Sequence, residues 1–184
     1  MRCRRGFRRF FESAGLGSSF AVVAEGSRES AYRRFQIGMA NPSGNEFIVL
    51  VVDSEAPVIK DNAPWEHLRK QDNWDKPTAA SDDNAHLMVQ CMEAWFLADK
   101  SVLASHFGHG FAASALPANP NIEVVPKSDI DDGLKGATRA TSKGKYNKGR
   151  DSFAILGELN PQLVAKASPH AARLLSTLEA HVSE

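Results

Sequence analysis

The sequence predicts an α/β fold, a parallel sheet flanked by helices with a helical C-terminal half. Three observations carry that prediction. Phe47-Ile48-Val49-Leu50-Val51-Val52 is an unbroken, β-branched-rich apolar run that stops at Asp53-Ser54-Glu55, the pattern of a strand buried on both faces. The residues before it alternate helix, strand, helix, strand, as parallel sheets require. The segments beyond residue 83 read mostly as helices.

Residues 2–14 predict an amphipathic helix, since Cys3, Phe7, Phe10 and Ala14 follow helical spacing while arginines take the other side. Gly15 stops it. Phe20-Ala21-Val22-Val23-Ala24 reads as a short strand. Ser27 caps a helix through about Met39, with Ala31, Phe35 and Met39 at i, i+4 and i+8. Asn41-Pro42-Ser43-Gly44-Asn45 is a turn, and the strand 46–52 follows, expected to be central and buried. Residues 56–82 are rich in Pro, Asp, Asn and Trp without periodicity, which places an irregular insertion at 59–82, carrying Trp65, His67 and Trp74. The strongest helix is expected from about Asp83 to Ala98, with a second from Ser101 to Phe107. Ile122-Glu123-Val124-Val125 reads as a short strand and 128–139 as a helix. Residues 150–158 and 161–182 read as helical, with Pro161 and Pro169 at helix starts. One domain, 1–184, accounts for all of this: an α/β core (1–58), the insertion (59–82) and a helix-rich part (83–184).

The chain has 184 residues, 42% hydrophobic and 24% charged, the composition of a globular domain able to bury a core. Its formal net charge is zero, so no global field draws it to nucleic acid or to a membrane. Charge is uneven, however. Arg2, Arg4, Arg5, Arg8 and Arg9 crowd the start; Arg139, Lys143, Lys145, Lys148 and Arg150 crowd a later loop. Acids gather from Asp53 to Asp83 and around Asp129, Asp131 and Asp132. Cys3 and Cys91 are the two cysteines, which argues against a disulfide scaffold and for a reducing compartment. No apolar stretch reaches transmembrane length, and the start lacks the features of a transit peptide or secretory signal. A cytoplasmic protein without a membrane partner is the expectation.

Ligands of open parallel sheets gather at the carboxyl ends of the strands, where Asp53 and Glu55 fall. Two acids there suit a hard cation such as Mg²⁺, or Mn²⁺, which takes oxygen ligands. The alternative is that Asp53 starts a turn or caps the next segment. If Asp83 to Ala98 is a helix, then His86, Gln90 and Glu93 stack on one face of it. That stripe either shares a polar pocket with Asp53 and Glu55 or is the solvated side of the helix, with Glu93 paired to an arginine. The loop Thr138 to Arg150 carries Lys143, Lys145, Lys148 and Arg150 among glycines and Tyr146, a composition suited to phosphate contact. A solvated loop accounts for it equally. No zinc-type spacing, Walker loop, nucleophile elbow or dinucleotide fingerprint occurs.

Several segments together carry a family resemblance. They are Cys3-Arg4-Arg5-Gly6-Phe7, Gly26-Ser27-Arg28, Val52-Asp53-Ser54-Glu55, Pro64-Trp65-Glu66-His67-Leu68 and His86-Leu87-Met88-Val89-Gln90. Met92-Glu93-Ala94-Trp95-Phe96-Leu97-Ala98-Asp99, Leu116-Pro117 and Ser168-Pro169-His170-Ala171 complete the set. Across essentially the whole chain these resemble the RloG-like family of bacterial Toprim-like proteins, a domain of unknown function often encoded beside AAA-type ATPases, as in OLD-type nucleases and several anti-phage systems. The resemblance implies a Toprim sheet whose metal site joins a glutamate after the first strand to an acidic pair after a later one. Asp53 and Glu55 match the second element.

The family pattern begins with a strand and a Glu-Gly turn ahead of the first helix, and this sequence starts inside that helix. Glu25-Gly26 imitates the turn but follows the wrong strand, so the catalytic glutamate is not carried onto Glu25. Met1 is therefore expected to be internal to a longer reading frame. Two functions follow. The first is a Mg²⁺-dependent phosphoryl-transfer enzyme, a nuclease acting with an ATPase partner. Asp53 and Glu55 would hold metal, and Glu93 and His86 would serve as a further ligand or proton shuttle. The second is a non-catalytic subunit that binds nucleic acid or a partner. Lacking the strand, the given chain is expected to show weak or no nuclease activity and a tendency to dimerise or aggregate.

Overall fold

A computed structural model describes residues 2–17, 20–44, 46–59 and 63–182. Met1, Asn45 of the expected turn and residues 60–62 of the expected insertion lie outside the described residues. The fold is mixed α/β. Helices α1 (Arg2–Ser13) and α2 (Arg28–Ala40) precede strand β1 (Leu50–Asp53); α3 (Pro64–Asp72) separates it from β2 (Ala85–Met88). Then come α4 (Lys100–Phe107), α5 (Lys127–Thr138), α6 (Lys148–Leu156), α7 (Pro161–Ala167) and α8 (Pro169–Val182).

β1 and β2 pair in parallel, Leu50 opposite Ala85 and Asp53 opposite Met88. Successive side chains of a strand face opposite ways, and here that alternation separates two cores. Leu50, Val52, Ala85 and Leu87 join Tyr32, Phe35, Trp65, Leu68 and Trp74 on one face. Val51 and Met88 join the larger core on the other, built on Trp95, Phe96, Phe10, Leu103 and Leu134. Both faces of the sheet are thus covered, as the apolar run predicts. The ladder is shorter than expected: it begins at Leu50, and among the described residues the sheet has two strands, so β1 is not flanked by a strand on each side.

α1 forms as its pattern predicts and buries Gly6, Phe10 and Phe11. Phe10 stacks on Trp95 with ring centroids 5.1 Å apart. Gly6 lies against α6 so closely that a Cβ there would stand 2.5 Å from the Phe153 carbonyl oxygen. Ser27 caps α2 as expected, its hydroxyl accepting the Ser30 N–H.

Four expectations are corrected. Residues 20–24 carry no ladder and are not a strand. Ile122–Val124 is a 3-10 turn. The insertion is not irregular: Pro64 at the first turn starts α3, which buries Trp65, His67 and Leu68. Most consequentially, Asp83 to Ala98 is not a helix. It runs as a 3-10 turn (Asp82–Asn84), strand β2, a link with a cis Val89–Gln90 peptide and a second 3-10 segment (Met92–Ala98). Residues 84–97 are buried throughout, His86, Gln90 and Glu93 included, and such a run reads alike as buried helix or buried strand. The open backbone edge of β1 decides for the strand. His86, Gln90 and Glu93 therefore do not form a helical stripe.

Candidate functional site

The candidate site lies at the carboxyl end of β1, where the backbone is held from several directions. The Ser54 N–H donates to the Met88 carbonyl (3.0 Å) and the Glu55 N–H to that of Gln90 (2.9 Å), extending the pairing past the ladder. A buried His67 nitrogen bonds the Ser54 carbonyl at 2.8 Å. Arg28 Nε donates to the Asp53 carbonyl at 2.9 Å while its guanidinium pairs with both oxygens of Asp72 and lies over the Trp74 ring. These contacts use Ser27-Arg28 and Trp65-Glu66-His67, two of the segments that carry the family resemblance, to fix Asp53 and Glu55. Glu55 adopts a left-handed backbone, φ 62°, which costs a non-glycine residue about 1 kcal/mol or more.

Asp53 Oδ1 accepts the Met92 N–H at 2.8 Å, so this acid caps the 3-10 segment that carries Glu93. Burial, with help from Glu93 and Glu55, raises the Asp53 carboxyl to about 6, against the pull of Lys148 and the Met92 N–H. Glu93 is buried. Its Oε1 accepts from Tyr146 and Ser152, each at 3.2 Å, and its Oε2 from Lys148 Nζ at 3.1 Å. Glu55 pairs with Lys127. The result is two ion pairs, Glu55 with Lys127 and Glu93 with Lys148, near enough to Asp53 for Glu93, Glu55 and Lys148 all to act on its carboxyl. Cys91 sits beside them, but burial and the charges of Glu93 and Asp53 push its thiol up to about 12, which makes it a poor nucleophile.

The other expected site residues go elsewhere. His86 is buried opposite Val51, two positions back along the strand from Asp53. One ring nitrogen bonds the Asp83 carbonyl (3.0 Å), the other meets Arg173 (3.1 Å), and burial, then Arg173, lowers its pKa to about 4. It is a neutral bridge between β2 and α8 and does not reach the acids. Lys143 bonds the His106 carbonyl, and Arg150 pairs with Asp151 while reaching the Lys145 carbonyl. Lys145 is exposed. Of the expected phosphate-binding residues, Lys148 alone contacts the acid group.

Lys127, Tyr146, Ser152 and Arg28 belong to the site and were not singled out by sequence reasoning. Arg28 stood in a resemblance segment and Tyr146 within the basic loop, which were the available signals. Lys127 gave none: its contact with Glu55 spans 72 residues.

The donor set suits a hard cation, since all three acids offer oxygen and their mutual repulsion rewards added positive charge. Among the described residues no three His, Cys, Asp or Glu side chains already converge as a ready-made ligand cage. Lysine ammonium groups supply the compensating charge instead. Lys127 and Lys148 have side chains 41% and 58% exposed, so both have room to move aside.

Comparison with known proteins yields one family. The model of the domain of unknown function DUF4276 matches residues 3–179. No curated protein matches the chain, and no solved structure does.

Proposed function

The chain belongs to the DUF4276 family, and we propose that it is a Toprim-like, divalent-metal-dependent phosphoryl-transfer protein: a nuclease subunit working beside an AAA-type ATPase in bacterial defence. The observation that carries this reading is the buried Asp53 carboxyl at the carboxyl end of a parallel strand, acted on by Glu55 and Glu93, each of which is paired with a lysine. A parallel β1–β2 pair with helical layers on both faces supports the Toprim-like architecture.

Asp53 and Glu55, with Glu93, would hold Mg²⁺ or Mn²⁺. A cation bound there would supply Lewis-acid activation of a water and charge neutralisation at the phosphoryl oxygens. The protein's own groups do the rest. Arg28, His67 and the Met88 and Gln90 carbonyls hold the acid pair rigid, which places reacting groups at no cost during turnover. Tyr146 and Ser152 fix the Glu93 carboxylate. Lys148 and Lys127 offer positive charge to a phosphodiester, with Lys145 before α6 and Arg150 within it as contacts to a nucleic-acid backbone. His86 has no part in the chemistry, because both its ring nitrogens are engaged.

One observation favours a second reading. Glu55 and Glu93 are already neutralised by lysines, as in a fold that keeps its acids for structure and only binds nucleic acid or a partner. Purified protein incubated with Mg²⁺ or Mn²⁺ and DNA or RNA separates the two. Cleavage lost in Asp53→Ala and in Glu93→Gln supports the enzyme; binding without cleavage in every metal supports the non-catalytic subunit.

A further inference from the structure

Lys127 and Lys148 share an unusual placement. Each is the first residue of its helix, α5 and α6, where the helix dipole disfavours a cation. Neither is there for helix stability. Each reaches instead to a different carboxylate of the site: Lys127 to Glu55, and Lys148 to Glu93 at 3.1 Å. Their partners are the less exposed members of both pairs, 31% for Glu55 and 6% for Glu93. Glu93 is also held by Tyr146 and Ser152, while each lysine side chain is the more exposed member of its pair and has solvent to move into. An ammonium and a divalent cation cannot both sit against the same oxygen without strong repulsion.

We propose that Lys127 and Lys148 form a charge-exchange gate: they neutralise Glu55 and Glu93 until a divalent cation takes those oxygens, and the displaced ammonium groups then grip the phosphates of the substrate. The proposal rests on the metal-dependent reading above and adds its regulation. Metal and polyanion become mutually supportive ligands, since each relieves the charge the other introduces. A nucleic-acid phosphate arriving at the lysines unmasks the carboxylates, and a cation arriving at the carboxylates releases the lysines. Lys148 opens α6 directly after the loop that carries the exposed Lys145, so the released group has a second lysine nearby in sequence.

The test measures Mn²⁺ binding by calorimetry on the full chain as wild type, Lys127→Met, Lys148→Met, Lys148→Gln, Lys148→Arg and Asp53→Asn. Binding of a single-stranded oligodeoxynucleotide in Ca²⁺ is followed in parallel over a salt series. Removing either lysine charge is expected to tighten Mn²⁺ about ten-fold or more. The same change should weaken the oligonucleotide and reduce its salt slope by about one. Lys148→Arg should behave as wild type. Unchanged or weaker Mn²⁺ binding in the neutral variants, with binding lost in Asp53→Asn, overturns the gate and leaves the metal site standing. Equal tightening in Lys148→Arg also overturns it, because the charge is then irrelevant. No Mn²⁺ binding by any chain, the lysine variants included, overturns the metal reading itself.

Discussion

Asp53→Asn should make the protein more stable at neutral pH while removing its function. The wild-type carboxyl is raised from an ordinary 3.8 to about 6, first by burial and then by Glu93 and Glu55. A group raised in the folded state stabilises it fully below its unfolded pKa, and that contribution is lost as pH rises through the folded value. Between pH 3.8 and 6 the cost of the ionised group therefore grows; above 6 it is complete. A shift of this size corresponds to about 3 kcal/mol, at about 1.36 kcal/mol per unit. Asparagine is uncharged at every pH and keeps a side-chain oxygen for the Met92 N–H, so it avoids the penalty without orphaning the donor. Urea or thermal unfolding of both proteins in EDTA, from pH 4 to pH 8, is the assay. The variant should match wild type near pH 4 and exceed it by about 2–3 kcal/mol at pH 8, or about 4–12 °C for a chain of this size. Adding Mn²⁺ should narrow the gap by stabilising wild type alone. A gap independent of pH, or a variant less stable than wild type at pH 8, would refute the argument that Asp53 is retained at a cost in stability.

Replacing Glu55 with glycine relieves the left-handed backbone and forfeits a half-exposed ion pair with Lys127. Urea unfolding should show stability equal to wild type or up to about 1 kcal/mol higher, while calorimetry shows weaker Mn²⁺ binding. His86→Asn should leave Mn²⁺ binding intact. Because the folded pKa of His86 is lowered from 6.5 to about 4, its stability contribution falls as pH drops from 6.5 to 4, and the variant should lose that part of the acid sensitivity. Arg28→Met breaks the pair with Asp72 and frees the Asp53 carbonyl. It should cost about 2 kcal/mol and speed hydrogen exchange in α3. Gly6→Ala places a methyl group against the Phe153 carbonyl; denaturation should show a loss of about 1–3 kcal/mol from overpacking.

Local signals were readable in the sequence wherever one short-range cause dominates. The amphipathic α1, the Ser27 cap, the helix starts at Pro161 and Pro169, and the acids ending an apolar strand all depend on neighbours within a turn or a strand. Asp83 to Ala98 misled for a physical reason. Its polar residues His86, Gln90 and Glu93 fall at helical spacing although all are buried, and the choice between helix and strand fell to the β1 edge that pairs with it. Glu93 still arrives beside Asp53, although by a different route from the stacked helical face that suggested it. The same rerouting turns His86 to Arg173.

The sequence by itself determined the α/β class, the two-faced burial of β1 and the position of Asp53 and Glu55 at its end. Alternating side chains and an abrupt change from apolar to acidic residues encode these within a few positions. Only the tertiary structure decided the company those acids keep. Lys127, Lys148, Tyr146 and Ser152 lie from 53 to 72 residues away from the carboxylates they contact. Such pairings follow from how helices dock on the sheet, and no local spacing records them. The charge on Asp53 is likewise a tertiary property, because burial and the proximity of Glu93 exist only once the chain has folded.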